Sequence, residues 1–142
     1  MAQPQVKVIF NKGIPGFDHI KEYFLEPEEG DVFYRLKAVE NPQIGFLLIN
    51  PFIFFPDYSF DLPQSIENLL GLAEVSDVCV FSIVNIPEDI SLATANLLAP
   101  IIINQKNLSG VQLVLNDQQY RTKHSIFNNQ PVEGVTADAG ND

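Results

Sequence analysis

The chain has 142 residues, which is enough for one hydrophobic core and too short for two of ordinary size. Its composition, 46% hydrophobic and 18% charged, excludes a disordered chain. With 8 basic and 18 acidic residues, the formal net charge of −10 argues against a nucleic-acid ligand and suits a basic protein partner. Solubility alone would also account for that charge.

The N-terminal third is predicted to contain strands joined by tight turns. Val6–Phe10 alternates apolar and polar residues, and the GIPG motif at Gly13–Gly16 fits a type II turn. Phe17–Leu25 is predicted to include a short helical turn. The acidic stretch Glu26–Asp31 is predicted to be a solvated loop. Val32–Val39 alternates again, which predicts a half-buried strand.

The rest of the chain predicts further strands and one clear helix. Ile44–Ile49 is apolar on both faces, as in a strand buried on both sides. Gln64–Leu70 is the best helix, because Pro63 and Gly71 supply start and stop signals. Further β-rich runs lie at Val78–Asn85, Ile101–Asn104 and Val111–Leu115. The predicted fold is therefore mainly β: a small antiparallel barrel or sandwich-like single domain with one or two short helices.

The two ends of the chain bear on its boundaries and its location. After Phe127 the chain contains three acids and no Lys or Arg. We therefore expect residues 1–127 to form the domain and residues 128–142 to be a flexible acidic tail. The N-terminus does not resemble a secretory signal, and the longest apolar runs are too short to span a bilayer. This predicts a cytoplasmic protein with no membrane contact.

Patterns typical of catalysis are weak. His19 and His124 lie outside any metal-ligand spacing, and Cys79 lies in an apolar strand pattern, where a free thiol usually acts as a small hydrophobe. The sequence has no nucleophile elbow and no phosphate-binding glycine loop. We therefore expect no catalytic residue, no metal site and no cofactor. An enzyme would need a constellation assembled from distant parts of the chain.

One segment, Asn50–Phe60, is unusually aromatic. It reads NPFIFFPDYSF, with four Phe, two Pro and one Tyr in eleven residues. About half of these side chains would be accounted for if the segment were a strand that crosses the core. However, Pro51 and Pro56 cannot donate hydrogen bonds to a ladder, so the chain is expected to leave the sheet near Pro56. Aromatic side chains brought to the surface in this way are typical of protein interfaces.

Four motifs, in this order along the chain, are shared with one known family. They are GIPGF at Gly13–Phe17, NPFIFFPDY at Asn50–Tyr58, IPED at Ile86–Asp89 and NLLAPIIIN at Asn96–Asn104. In these motifs the chain resembles the flagellar assembly factor FliW family. GVQLVL at Gly110–Leu115 and the pair Tyr120 and His124 also look similar to that family's closing segment. The resemblance covers roughly residues 8 to 126.

The resemblance implies a non-enzymatic regulatory binding protein with a compact, barrel-like β fold. FliW-like proteins bind flagellin and the translational regulator CsrA, a small basic RNA-binding dimer. Flagellin draws FliW away from CsrA, so FliW links flagellin supply to repression of flagellin synthesis during flagellum assembly. A chaperone-like holder of flagellin without a regulator partner is the alternative. The candidate partner-binding residues lie in the shared motifs: Phe54, Phe55, Pro56, Asp57, Tyr58, Ile86, Pro87, Glu88, Asp89, Asn96 and Pro100.

The start of the chain departs from the family pattern. The resemblance implies a further strand before the position of Val8, and only Met1–Lys7 precede that position here. If that strand is missing, Val6–Phe10 becomes an edge strand with unpaired backbone groups. Dimerisation by edge pairing, or cover of this edge by the tail, would then follow.

Overall fold

A computed structural model describes residues 5–28, 30 and 32–127 of the chain. The predicted tail, residues 128–142, lies outside the described residues, and its flexibility stays a prediction. The strands of the described part, in chain order, are β1 Val6–Ile9, β2 Glu22–Pro27, β3 Phe33–Ala38, β4 Gly45–Ile49, β5 Val78–Asn85, β6 Thr94–Ala95, β7 Ile101–Asn104, β8 Ser109–Gln112 and β9 His124–Ser125.

Seven of these strands form a closed barrel. Their order is β4-β3-β2-β1-β8-β7-β5, and pairing between β4 and β5 closes the ring. The short strands β6 and β9 extend the sheet from the C-terminal end of β5, where β6 pairs with Val84 and Asn85. All of the pairings are antiparallel except the contact between β1 and β8, which is parallel. The predicted mainly β, single-domain barrel is confirmed.

Two short helices lie outside the barrel. Helix α1, Pro51–Phe54, follows β4 directly, and the side chain of Asn50 caps it by accepting a 2.9 Å hydrogen bond from the Phe52 amide. Helix α2 spans Gln64–Leu70, as predicted, and ends at Gly71, whose φ of 67° places it in the left-handed region. A 3₁₀ turn, Val75–Asp77, leads from α2 into β5.

The core has an inner and an outer part, because successive side chains of a strand point to opposite faces. Ile101 and Ile103 belong to the barrel interior, together with Phe10, Tyr23 and Leu36. Ile102, between them, points outward and packs under α2 with Leu70 and Val111. Helix α2 and the segment before it therefore cover apolar side chains on the outer face of the barrel.

Two predictions for the N-terminal third are wrong. Phe17–Leu25 is not helical: the turn at Gly13–Gly16 returns the chain alongside β1, so that Val8 lies opposite Tyr23 at the start of β2. Nor is the acidic stretch entirely loop, because Glu26 belongs to β2 and its carboxylate lies 2.9 Å from Nζ of Lys37. Backbone pairing on both sides outweighed the helical appearance of a short apolar run.

The prediction that Val6–Phe10 is an edge strand is also wrong. Strand β1 pairs with β2 on one side and meets β8 on the other, with Ile9 opposite Ser109. The Ile9 amide donates a 2.9 Å hydrogen bond to the Leu108 carbonyl. Strand β1 therefore has a neighbour on each side, and dimerisation through this strand stays a prediction.

Candidate functional site

The aromatic segment leaves the sheet earlier than predicted. The departure is at Asn50, not near Pro56, because the Asn50 cap and a proline at the first helical position begin α1 immediately after β4. Two of its side chains, Phe52 and Ile53, are 41% and 60% exposed. Neither was among the candidate residues predicted from the sequence. An Asn-Pro pair before an apolar run is a helix-start signal, so this turn was open to prediction.

The predicted candidates of this segment divide between core and surface. Phe54 and Phe55 are half-buried and pack against the cluster that contains Ile49. The Phe54 ring also meets that of Phe127 edge to face, with 6.3 Å between their centroids. Pro56 and Asp57 are exposed at the turn that follows. On this segment the candidates free to reach a partner are therefore Pro56 and Asp57.

Tyr58 anchors the aromatic segment to the rest of the fold. Its side chain is only 4% exposed, and its hydroxyl donates a 2.8 Å hydrogen bond to the Leu97 carbonyl. The rings of Phe52, Phe60 and Tyr120 lie 5.6, 5.4 and 4.8 Å from its own, measured between centroids. Burial, and then the neighbouring Tyr120, raises the pKa of Tyr58, so the hydroxyl stays protonated as a donor. This environment is that of a packing residue.

The motif at Ile86–Asp89 forms an exposed loop after β5. Ile86, Glu88 and Asp89 are exposed, and Pro87 is half-buried. The Asp89 carboxylate caps the following 3₁₀ turn, accepting hydrogen bonds from the amide and hydroxyl of Ser91 at 3.1 and 2.7 Å. Those hydrogen bonds lower the pKa of Asp89. The loop presents both carboxylates to solvent.

Asn96 and Pro100 serve the fold more than the surface. The side-chain oxygen of Asn96 accepts hydrogen bonds from the amides of Leu98 and Ala99, both at 3.0 Å. Pro100 is buried at the start of β7. These contacts hold the turn between β6 and β7.

An open groove lies on the outer face of β5, between α1 and α2. Its volume is about 380 Å³, and Tyr58 is the one predicted candidate among its lining residues. Val75, in the 3₁₀ turn, is 90% exposed beside it. Two carboxylates, Glu67 and Glu74, also line the groove. The apolar lining residues are Phe52, Tyr58, Phe60, Leu62, Leu72, Ala73, Val75, Val78 and Val80.

Charge is distributed unevenly along the chain, and this signal was available from the sequence. Between Lys37 and Lys106 there is no Lys or Arg, although the interval includes α1, α2, β5 and the Ile86–Asp89 loop. The acids of this interval are Glu40, Asp57, Asp61, Glu67, Glu74, Asp77, Glu88 and Asp89. On the other side of the barrel, ion pairs join Lys7 to Glu22, Arg35 to Glu28 and Lys37 to Glu26. The groove is therefore lined mainly by residues of an interval that carries acids and no Lys or Arg.

His124 is half-buried beside this region and should make stability depend on pH. Its Nε2 accepts a 2.9 Å hydrogen bond from the Arg121 amide, and its ring meets those of Phe55 and Tyr120. Burial, followed by the charge of Arg121, lowers the pKa of His124 below its ordinary 6.5. The folded state thus favours the neutral ring. The stabilisation from the neutral His124 ring is complete above the pKa of this histidine in the unfolded chain. It is lost as the pH falls through the lower pKa that His124 has in the folded state.

We expect the melting temperature to fall by a few degrees as the pH drops below about 6.5, and His124→Gln to remove most of that fall. The change in melting temperature should be small, because the His124 ring is half-exposed and water screens its charge. Thermal unfolding between pH 8 and 5, followed by circular dichroism, measures it. His19→Gln, at the exposed histidine, is the matched control. Equal pH profiles for the wild type and His124→Gln would contradict the assignment.

Three further features of residues 5–28, 30 and 32–127 bear on other kinds of site. No three His, Cys, Asp or Glu side chains of this part come together as metal ligands would. None of its helices has the length and apolar character needed to cross a membrane. Burial raises the pKa of the Cys79 thiol, whose Sγ lies 3.5 Å from Oε1 of Gln105.

Comparison with known proteins identifies the family. The FliW family model, described as "FliW protein", matches residues 1–126. Curated flagellar assembly factors FliW from Caldicellulosiruptor bescii and Bacillus subtilis strain 168 are 43% and 42% identical to the chain over 122 and 120 residues. These alignments cover 86% and 84% of this chain, and 80% and 84% of the relatives.

A solved structure gives the same result for the fold. The crystal structure of a flagellar assembly factor FliW superposes with a TM-score of 0.82 at 36% sequence identity. The superposition covers 87% of each chain. A match in sequence over most of the chain and a match in fold both lead to one conclusion. The chain belongs to the FliW family of flagellar assembly factors.

Proposed function

We propose that this chain is a non-enzymatic, cytoplasmic regulator that binds flagellin and a CsrA-like translational regulator. By exchanging one partner for the other, it relieves repression of flagellin synthesis while flagella are assembled. The observation that carries this proposal is membership of the FliW family over residues 1–126.

The surface of the molecule supports a binding role. The groove is open and mostly apolar, whereas a small-molecule substrate is usually held in a closed pocket with converging polar groups. Exposed apolar side chains at Phe52, Ile53 and Val75 suit contact with a protein. The net charge of −10 complements a basic RNA-binding dimer.

The test is separate calorimetric titration of the purified chain with flagellin and with the CsrA-like regulator of the same bacterium. The proposal expects saturable binding of both proteins. Binding of flagellin alone would replace it with the chaperone-like alternative. Binding of neither protein would overturn both functions.

We expect association with the CsrA-like dimer to be steered by charge. Raising the salt concentration from about 20 mM to 150 mM shortens the screening length to about 8 Å, so the association rate should fall at least about tenfold. Stopped-flow mixing over a series of salt concentrations measures that rate. The dissociation rate, which depends on short-range contacts, should change much less.

A neutral osmolyte at matched viscosity serves as the control for slower diffusion. An association rate that does not change with salt would contradict charge steering.

A further inference from the structure

We infer that the groove between α1 and α2 is the docking site for an amphipathic helix of a partner protein. The apolar face of that helix enters the groove, and its Lys or Arg side chains meet Glu67 and Glu74. The inference deepens the proposed function and rests on it, because it names the class of segment that a binding protein of this kind holds.

The shape and lining of the groove indicate which part of a partner enters. Its floor consists of side chains from β5, Val78 and Val80, which point outward from a strand that pairs with β7 along this stretch. A partner that enters the groove therefore meets apolar side chains on its floor. Insertion of one apolar face of a helix is the recognition mode that such a groove suits.

The apolar residues at the groove are more exposed than packing requires. Val75 is 90% exposed and Phe52 is 41% exposed, and both line the groove. Leu62 and Leu72 also line the groove and are half-buried. A helix seated here would bury these side chains, and burying apolar area is the main favourable contribution to association.

Charge decides between the available occupants. The chain's own C-terminal segment, residues 128–142, carries three acids, no Lys or Arg, and no apolar residue larger than valine. A second copy would bring the same acidic interval and a net charge of −10. Both would place like charges beside Glu67 and Glu74, which is unfavourable. Lys106, at the end of the acidic interval, lies 3.8 Å from the Asp77 carboxylate. A cationic helix from another protein is the complementary occupant.

The probe is a synthetic helical peptide of about four turns, with Leu on one face and Lys on the other. Its twin has Glu in place of every Lys. Fluorescence anisotropy at physiological salt measures their affinities for the full chain. We expect the Lys peptide to bind at least about tenfold more tightly than its twin.

Two matched variants separate the groove from overall charge. Val75→Lys places a cation beside the groove, and Val114→Lys places the same charge at a valine that is also exposed and does not line it. Because both side chains are exposed, neither substitution should disturb the core. Val75→Lys should weaken Lys-peptide binding at least about tenfold, and Val114→Lys by less than about twofold.

Three results would overturn the inference: equal weakening by the two variants, equal affinity of the two peptides, or no binding to the wild type. Titration with purified flagellin and the CsrA-like regulator is a separate arm. If neither purified protein binds while the two peptides differ as expected, the proposed function is wrong. The assignment of the groove as a docking site for a cationic helix would then still stand.

Discussion

Replacing Tyr58 with alanine is expected to destabilise the protein by about 3–5 kcal/mol, the range for removing a large buried aromatic side chain. The substitution leaves a cavity among the rings of Phe52, Phe60 and Tyr120. It also removes the hydrogen bond to the Leu97 carbonyl, which ties the aromatic segment to the turn before β7. Urea unfolding monitored by circular dichroism gives the free energy of unfolding.

Two companion variants show which part of Tyr58 matters. Tyr58→Phe keeps the ring and loses the hydroxyl, so it should destabilise by about 1–2 kcal/mol. Phe52→Ala changes an exposed ring of the same segment and should cost about 1 kcal/mol or less in stability. At the partner interface, Phe52→Ala should weaken binding about thirtyfold, as for a hot-spot aromatic residue. A Tyr58→Ala protein that keeps its stability but loses partner affinity would reverse these roles.

Asn104→Ala is expected to have the second largest effect, about 3 kcal/mol of lost stability. The side chain is buried, and its Nδ2 donates a 2.8 Å hydrogen bond to the Leu70 carbonyl and a longer one of 3.4 Å to Gly71. Its Oδ1 accepts a 2.8 Å hydrogen bond from the Lys106 amide. Removal takes one donor from the Leu70 carbonyl, deprives the Gly71 carbonyl and the Lys106 amide of this partner, and leaves a cavity at a buried position.

The matched control is Asn107→Ala, in the same turn. Asn107 also donates to the Leu70 carbonyl, at 3.0 Å, but it is exposed and water can replace its contacts. We expect a loss of about 1 kcal/mol for this variant. Differential scanning calorimetry should therefore place Asn104→Ala well below Asn107→Ala in melting temperature. Equal shifts would mean that Asn104 does not link α2 to the barrel.

Local signals predicted much of the fold. Helix α2 and strand β5 have the predicted bounds, because proline, glycine and β-rich composition mark them in the sequence itself. The strand over Ile44–Ile49 is confirmed as apolar on both faces, since the consecutive residues Leu48 and Ile49 are both buried. The interior position of β1 was not predictable in this way, because it depends on the distant strand β8.

The candidate site was predicted less well, for a related reason. The segment Asn50–Phe60 was correctly singled out as unusual, but aromatic composition cannot tell a buried ring such as Tyr58 from an exposed one such as Phe52. The groove joins α1, the 3₁₀ turn before β5 and β5 itself, so it exists only in the folded barrel. Nothing in the sequence around Val75 indicates that this residue lies beside the groove.

The proposed function requires that the chain exchange one protein partner for another. The most direct measurement is size-exclusion chromatography with light scattering on a preformed complex of the chain and the CsrA-like dimer, to which purified flagellin is added in steps. We expect the CsrA-like dimer to leave the complex as flagellin enters it. Failure of the complex to form, or a CsrA-like dimer that stays bound at saturating flagellin, would contradict it.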